Sequence, residues 1–158
     1  MGIFGKKKEV TKVVLKHTDG LKSYGDAMVN LEINDDKQCI IITPKVYKIP
    51  PVSLKYENIL NIASVSEKDI IEKNKSTVGR AIVGGVVLGP LGAIVGGMSG
   101  IGTNKGNQVN YYTVINYQVD GEVKVLSFKV FGFANWTGFI QSVKSRIKVK
   151  ELENEIFL

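Results

Sequence analysis

The side chains able to carry chemistry are few in this 158-residue chain. The one histidine, His17, stands beside Thr18 and Asp19 at a turn, and the one cysteine, Cys39, lies inside the apolar run QCIIIT. One His and one Cys fall short of a zinc ligand set. They make a nucleophilic pair only if they meet and a third group orients them. Cys39 in its apolar run reads as a small core residue. Asp35 and Asp36 sit in a turn, and no second acidic cluster offers the paired carboxylates of acid–base catalysis. Phosphate-binding loops are missing too: there is no G-x-x-x-x-G-K-[ST], and GIGTNKG at 100–106 has Lys where a dinucleotide fingerprint needs its third glycine. Asn135-Trp136-Thr137 matches a glycosylation sequon, but residues 1–25 contain no apolar leader, so it reads as a helix start. The expectation is a non-enzyme with no catalytic residue, no metal and no cofactor, on the cytoplasmic side.

Charge narrows the partners. A net charge of +6 and a pI near 9.3 favour an anionic partner, either nucleic acid or the face of a membrane. Lys6, Lys7 and Lys8 follow two apolar residues at the N-terminus and are candidate contacts to an anionic surface, as are Arg80 and Lys105. Considered alone, the N-terminal segment 1–9 reads more simply as a solvated basic tail. Tyr111, Tyr112, Tyr117 and Phe128 could stack on bases from a sheet surface. However, Tyr111 and Tyr117 alternate with Ile115 on one face, and the lysines are scattered rather than grouped. Nucleic acid is therefore the less favoured partner.

The elements that must position these residues are mostly strands. Residues 10–16 lead to the turn Asp19-Gly20. Over 27–33, Ala27, Val29, Leu31 and Ile33 share one face, and 38–43 returns as the hairpin partner across Asn34-Asp35-Asp36. A short strand is expected at 46–49, stopped by Pro50-Pro51, and a longer one at 59–73. Two more, 111–119 and 122–131, flank the hairpin signal Asp120-Gly121. A change of apolar phase between Val125 and Leu126 suggests a bulge. Asn135 is placed to cap a final helix whose stripe is Trp136, Phe139, Ile140, Val143 and Ile147, with Ser142, Lys144, Ser145 and Arg146 on the wet side. Trp136 and Phe139 are both expected to be buried. About seven strands and a closing helix argue for a small bent sheet or partial barrel of α+β, mainly β, class.

That order resembles the bacterial pleckstrin-homology-like (PH-like, GRAM-like) domains, over roughly residues 10–148. IPPVSLKYENILNI resembles the segment leading into the family's fifth strand. VGRAIVGGVVLGPLGAIVGGMSG is similar to the glycine-rich segment some members insert after it. The resemblance implies no catalytic residues and a bacterial or phage origin. Eukaryotic relatives often hold phosphoinositides in a basic pocket between the first strands, but KHTDGLKSYGD carries there only Lys16 and Lys22 with two aspartates.

The glycine-rich insert spans 76–106 within a domain of 10–149, leaving a C-terminal tail at 150–158. No charge occurs in the 24 residues between Arg80 and Lys105. The strands on either side belong to one sheet, so both ends return to the same side and a helical hairpin turning at Gly89-Pro90-Leu91-Gly92 is expected. Ala81, Gly85 and Gly89 recur every four residues in its first arm, and Gly92, Gly96 and Gly100 in its second, as in small-xxx-small helix packing. The resulting expectation is a membrane-associated scaffold module anchored or oligomerised through this glycine zipper. The alternatives are a soluble homo-oligomeric interaction module and a nucleic-acid-binding sheet. Replacing the glycine stretch with a short turn is expected to leave a folded domain.

Overall fold

The computed structural model describes residues 8–46, 48–76, 82–99 and 109–156. Strand β1 (Lys12–Asp19) pairs with β2 (Met28–Asn34), and β2 pairs with β3 (Cys39–Pro44) through a turn in which the Lys37 N–H donates to Asn34 Oδ1 at 3.0 Å. A fourth strand, β4 (Val52–Lys55), pairs with β3, and β5 (Ile59–Ser66) follows after a single 3-10 turn. Next come helix α1 (Glu67–Ser76), the two-residue strands β6 (Ile82–Val83) and β7 (Val86–Val87), and helix α2 (Leu91–Ser99). The hairpin β8 (Tyr111–Val119) and β9 (Glu122–Lys129) leads to helix α3 (Trp136–Ile156). The main sheet has seven antiparallel strands in the order β4-β3-β2-β1-β9-β8-β5 and does not close into a barrel. This is the mainly β architecture expected from the sequence, and the strands flanking the insert, expected in one sheet, pair directly as β5 and β8.

The sheet buries one face along its whole width and the other along half of it. Val13, Leu15, Val29, Leu31, Ile40, Ile42, Ile62, Ile115, Leu126 and Phe128 point inward, where Phe139, Ile140, Val143 and Ile147 of α3 cover them. Asn135 caps α3 as expected, its Oδ1 accepting from the Gly138 N–H at 3.0 Å. On the outer face, Ala63 and Val65 of β5 and Tyr112 and Val114 of β8 form a second cluster with Ile70, Val86, Leu88, Leu91 and Val95. The insert therefore lies on β5, β8 and the edge of β9.

Several sequence expectations are corrected. The strand expected at 59–73 ends at Ser66, whose hydroxyl accepts from the Asp69 N–H at 3.1 Å and caps α1. No strand forms over the described part of 46–49. Tyr47 lies outside the described residues, and Lys48 takes a left-handed φ of 73°. The strand begins only past the two prolines, which lack the N–H a ladder needs. The β8–β9 register runs without a shift, so the phase change at Val125 is no bulge. Val125 packs on the outer cluster while Leu126 faces the inner core. The sheet's irregularities lie instead between His17 and Asp19, where β1 meets β9, and between Ile59 and Asn61, where β5 meets β8. Trp136 is only half-buried, stacked on Tyr111 at a ring distance of 5.5 Å. Helix α3 also runs on to Ile156, into the segment read as a tail.

The helical hairpin is corrected in its first arm. Gly84 and Gly85 have φ values of +62° and +85°, which close a tight β-turn between β6 and β7. Two successive left-handed residues cannot continue an α-helix. Gly89, at φ +56°, redirects the chain so that Pro90 precedes α2.

Candidate functional site

The glycine-rich segment is the most distinctive surface, and two asparagines fasten it. Asn116 on β8 is buried; its Oδ1 accepts from the Val87 N–H at 2.7 Å and its Nδ2 donates to the Val87 carbonyl at 2.9 Å. A side-chain amide thus stands in for a strand and satisfies both backbone groups of one β7 residue. Asn61 on β5 donates to the Gly85 carbonyl at 3.0 Å. A Cβ at Gly85 would come within 2.7 Å of that amide nitrogen, and one at Gly89 within 3.0 Å of Val125. Here the glycines allow close approach to the sheet as well as positive φ. Gly92 is buried on α2, beside Leu91 and Val95, and α2 packs along α1. Gly96 lies on the same helix, whereas Arg80, Ala81, Gly100 and Lys105 are outside the described residues, as are Lys6 and Lys7. The structure does not place Gly85 and Gly89 on a helix face with any of these. Within the chain, the described part of the segment makes a fit of hairpin to sheet and of α2 to α1 in place of packing between two helical glycine arms. The signal for the fastening was available: Asn116 interrupts the apolar run of 111–119, and a buried amide requires partners.

His17 and Cys39 stand at opposite ends of the sheet. His17 closes β1 where its N–H meets the Ala27 carbonyl at 2.9 Å, while Cys39 pairs with Asn34 at the far end of β2. Seven strand residues separate those ends, about 20 Å, so no Cys–His pair exists. His17 is buried between Tyr24 and Phe128. Its Nε2 accepts from the Leu21 N–H at 3.1 Å, which puts the proton on Nδ1, 2.6 Å from the Gly25 carbonyl that accepts it. The histidine holds the β1–β2 loop in shape. Among the described residues, no three of His, Cys, Asp or Glu are grouped to hold a metal ion.

Arg146, assigned to the wet side by periodicity, is clamped by two carboxylates. Its guanidinium donates to Asp35 Oδ1 and Oδ2 at 2.7 and 2.9 Å, and to Glu9 Oε2 and Oε1 at 2.7 and 3.1 Å. Tyr56 donates to the same Asp35 Oδ1 at 2.8 Å. Hydrogen bonds from Arg146 and then Tyr56 lower the Asp35 carboxyl from 3.8 to about 2. Arg146 also lowers the Glu9 carboxyl. Burial first, and then Asp35, raise the Tyr56 phenol. The network ties α3 to the β2–β3 turn and to the segment preceding β1, which makes it structural.

The remaining candidates divide by exposure. Tyr112 and Phe128 are buried on opposite faces of the sheet, Tyr117 is half-buried, and only Tyr111 is open to solvent. The four do not form a stacking platform for bases. Lys8 is exposed beside the start of α3. On the outer face, Lys16 of β1 lies directly opposite Lys129 of β9. Both described ion pairs belong to Arg146, so neither lysine is offset by one among the described residues.

Compared with known proteins, residues 6–130 match the family model described as a glycine zipper containing PH domain. No curated protein and no solved structure matches the chain significantly. The chain belongs to the family of PH domains that contain a glycine zipper.

Proposed function

We propose that this PH-like chain is a non-catalytic binding module that works on the cytoplasmic surface of an anionic membrane, its glycine-rich segment bracing the sheet. PH-like domains are generally binding modules. The observation that carries the membrane reading is the pairing of Lys16 with Lys129. Like charges facing each other across adjacent strands destabilise a sheet. A fold that keeps such a pair on an open face gains from it when an anion neutralises both. Further along β1, Lys12 stands opposite Glu32 of β2 and adds no net charge to the pair, while the net charge of +6 works in the same direction over longer range. The described glycine segment serves another purpose in this reading: Val86, Leu88, Leu91 and Val95 are spent on the module's own sheet. No helix among the described residues is long and apolar enough to cross a membrane.

Co-sedimentation with vesicles tests the proposal. The full chain should pellet with phosphatidylserine-containing vesicles at low salt, release as salt rises, and leave pure phosphatidylcholine vesicles largely bare. A chain that stays in the supernatant with both vesicle types at low salt would refute membrane binding. Preferential capture by single-stranded nucleic acid would replace it with the alternative partner.

A further inference from the structure

Between β9 and α3 the chain presents Phe131-Gly132-Phe133. Phe131 is 53% exposed and Phe133 fully so, at 106%. Such rings normally find cover, and Phe133 has none among the described residues. Gly132, at φ +65°, forms the turn that puts a phenylalanine on either side of it. Phe131 borders two shallow grooves. One includes Lys12, Val14 and Met28, and the other Val109, Tyr111, Lys129 and Trp136. Neither groove has a carboxylate in its described lining. Behind the loop, Trp136 stacks on Tyr111 and donates from Nε1 to Ser64 Oγ at 2.9 Å.

Building on the membrane reading above, we propose that this loop is a lipid-inserting wedge. Phe131 and Phe133 enter the interfacial layer of an anionic bilayer while Lys16 and Lys129 hold the headgroups. Three features select lipid as the occupant. The apolar rings project instead of lining a cleft, so they suit a deformable partner better than a rigid one. The charged side chains lining the two grooves are Lys129 and Lys12, the latter opposite Glu32 of β2, and Lys129 with Lys16 beside it complements phosphate and carboxylate headgroups. Tyr111 and Trp136 lie beside the wedge, and such amphipathic rings favour the level where hydrocarbon meets water. The position is also distinct from the β1–β2 loop, which His17 holds from within.

Trp136 is the chain's one tryptophan, so its fluorescence reports on this loop. With vesicles of phosphatidylcholine and phosphatidylserine, its emission should shift to the blue and be quenched by lipids brominated high on the acyl chain. Phe133→Ser should keep the wild-type melting curve, because the ring touches no core, yet weaken vesicle binding by about tenfold or more. Phe131→Ser combined with it should abolish the quenching. Lys129→Glu should weaken binding about fivefold or more, and only to anionic vesicles. Wild-type binding that Phe133→Ser leaves unchanged, with Trp136 unquenched, would overturn the wedge and leave the membrane reading standing. If the wild-type chain binds no vesicles, both fall. If Phe133→Ser instead dissolves a dimer seen by sedimentation, the loop is a contact between copies and the wedge is likewise overturned.

Discussion

Arg146 illustrates how far a residue's part in the fold departs from its helical position. It follows Val143 and precedes Ile147 on α3, so periodicity puts it beside the apolar stripe but cannot supply its partners. Asp35 and Glu9 arrive from a turn and from the segment before β1, more than a hundred residues away in sequence. The guanidinium fork meets both carboxylates at two atoms each, a geometry an ammonium cannot reproduce. Arg146→Lys should therefore lower stability by about 1 kcal/mol, held to that by the exposure of the partners. The acid limb gives a sharper test. Asp35 has a carboxyl near 2 when folded and an ordinary value of 3.8, so its contribution is present above pH 3.8 and is lost as pH falls through about 2. Urea melts of the wild type should show stability dropping across that window, and Asp35→Asn should flatten the drop. An identical acid limb in both proteins would show that the clamp does not act on folding.

At the scale of elements, alternation is legible where one face is wet and fails where both are buried. Strand β2 alternates cleanly, with Val29, Leu31 and Ile33 inside and Glu32 in water. Strand β8 is buried from Tyr112 through Asn116 on both faces, so its pattern reports burial without saying against what. The same doubling at Val125 and Leu126 imitates a bulge. Likewise, an apolar run punctuated by glycine at every fourth place fits a helix, yet Gly84-Gly85 fits a tight turn equally well by local rules, and the turn prevails. Asn116 tests how the hairpin is held. Asn116→Leu strips both backbone groups of Val87 of their partner and should cost about 2–4 kcal/mol. Limited proteolysis should then cut first within 82–99. Unchanged urea melts and an uncut segment would mean that apolar packing alone holds the insert.

For the whole molecule, the insert is a second cover that turns half of a one-sided sheet into a two-sided one. Without it, Ala63, Val65, Tyr112 and Val114 would keep only Ile70 and Ile71 of α1 as cover and would expose the rest of one contiguous patch. Sequence reasoning expected that a short turn could replace the stretch harmlessly. The structure gives the opposite expectation: joining α1 directly to β8 should yield a less stable chain that self-associates through the exposed patch. Urea denaturation and size-exclusion chromatography of that variant decide the matter. A monomeric product as stable as the wild type would show that the brace is dispensable.

The strand order of hairpins and the closing helix with its Asn135 cap were readable in the sequence, because turn chemistry and side-chain period act between near neighbours. Whether His17 and Cys39 meet was not, since it depends on which ends of the sheet they occupy. The destination of the glycine-rich segment was not. An apolar run rich in glycine can be buried on lipid, on a second copy or on its own sheet, and local rules do not rank these. For Val86, Leu88, Leu91 and Val95 the sheet is the burial site, because Ala63, Val65, Tyr112 and Val114 form a single surface only after β5 and β8 pair across the insert. The exposure of Phe131 and Phe133 has the same origin. Among the described residues they stay uncovered because the insert closes over the β5–β8 half of the outer face and α3 covers the inner one.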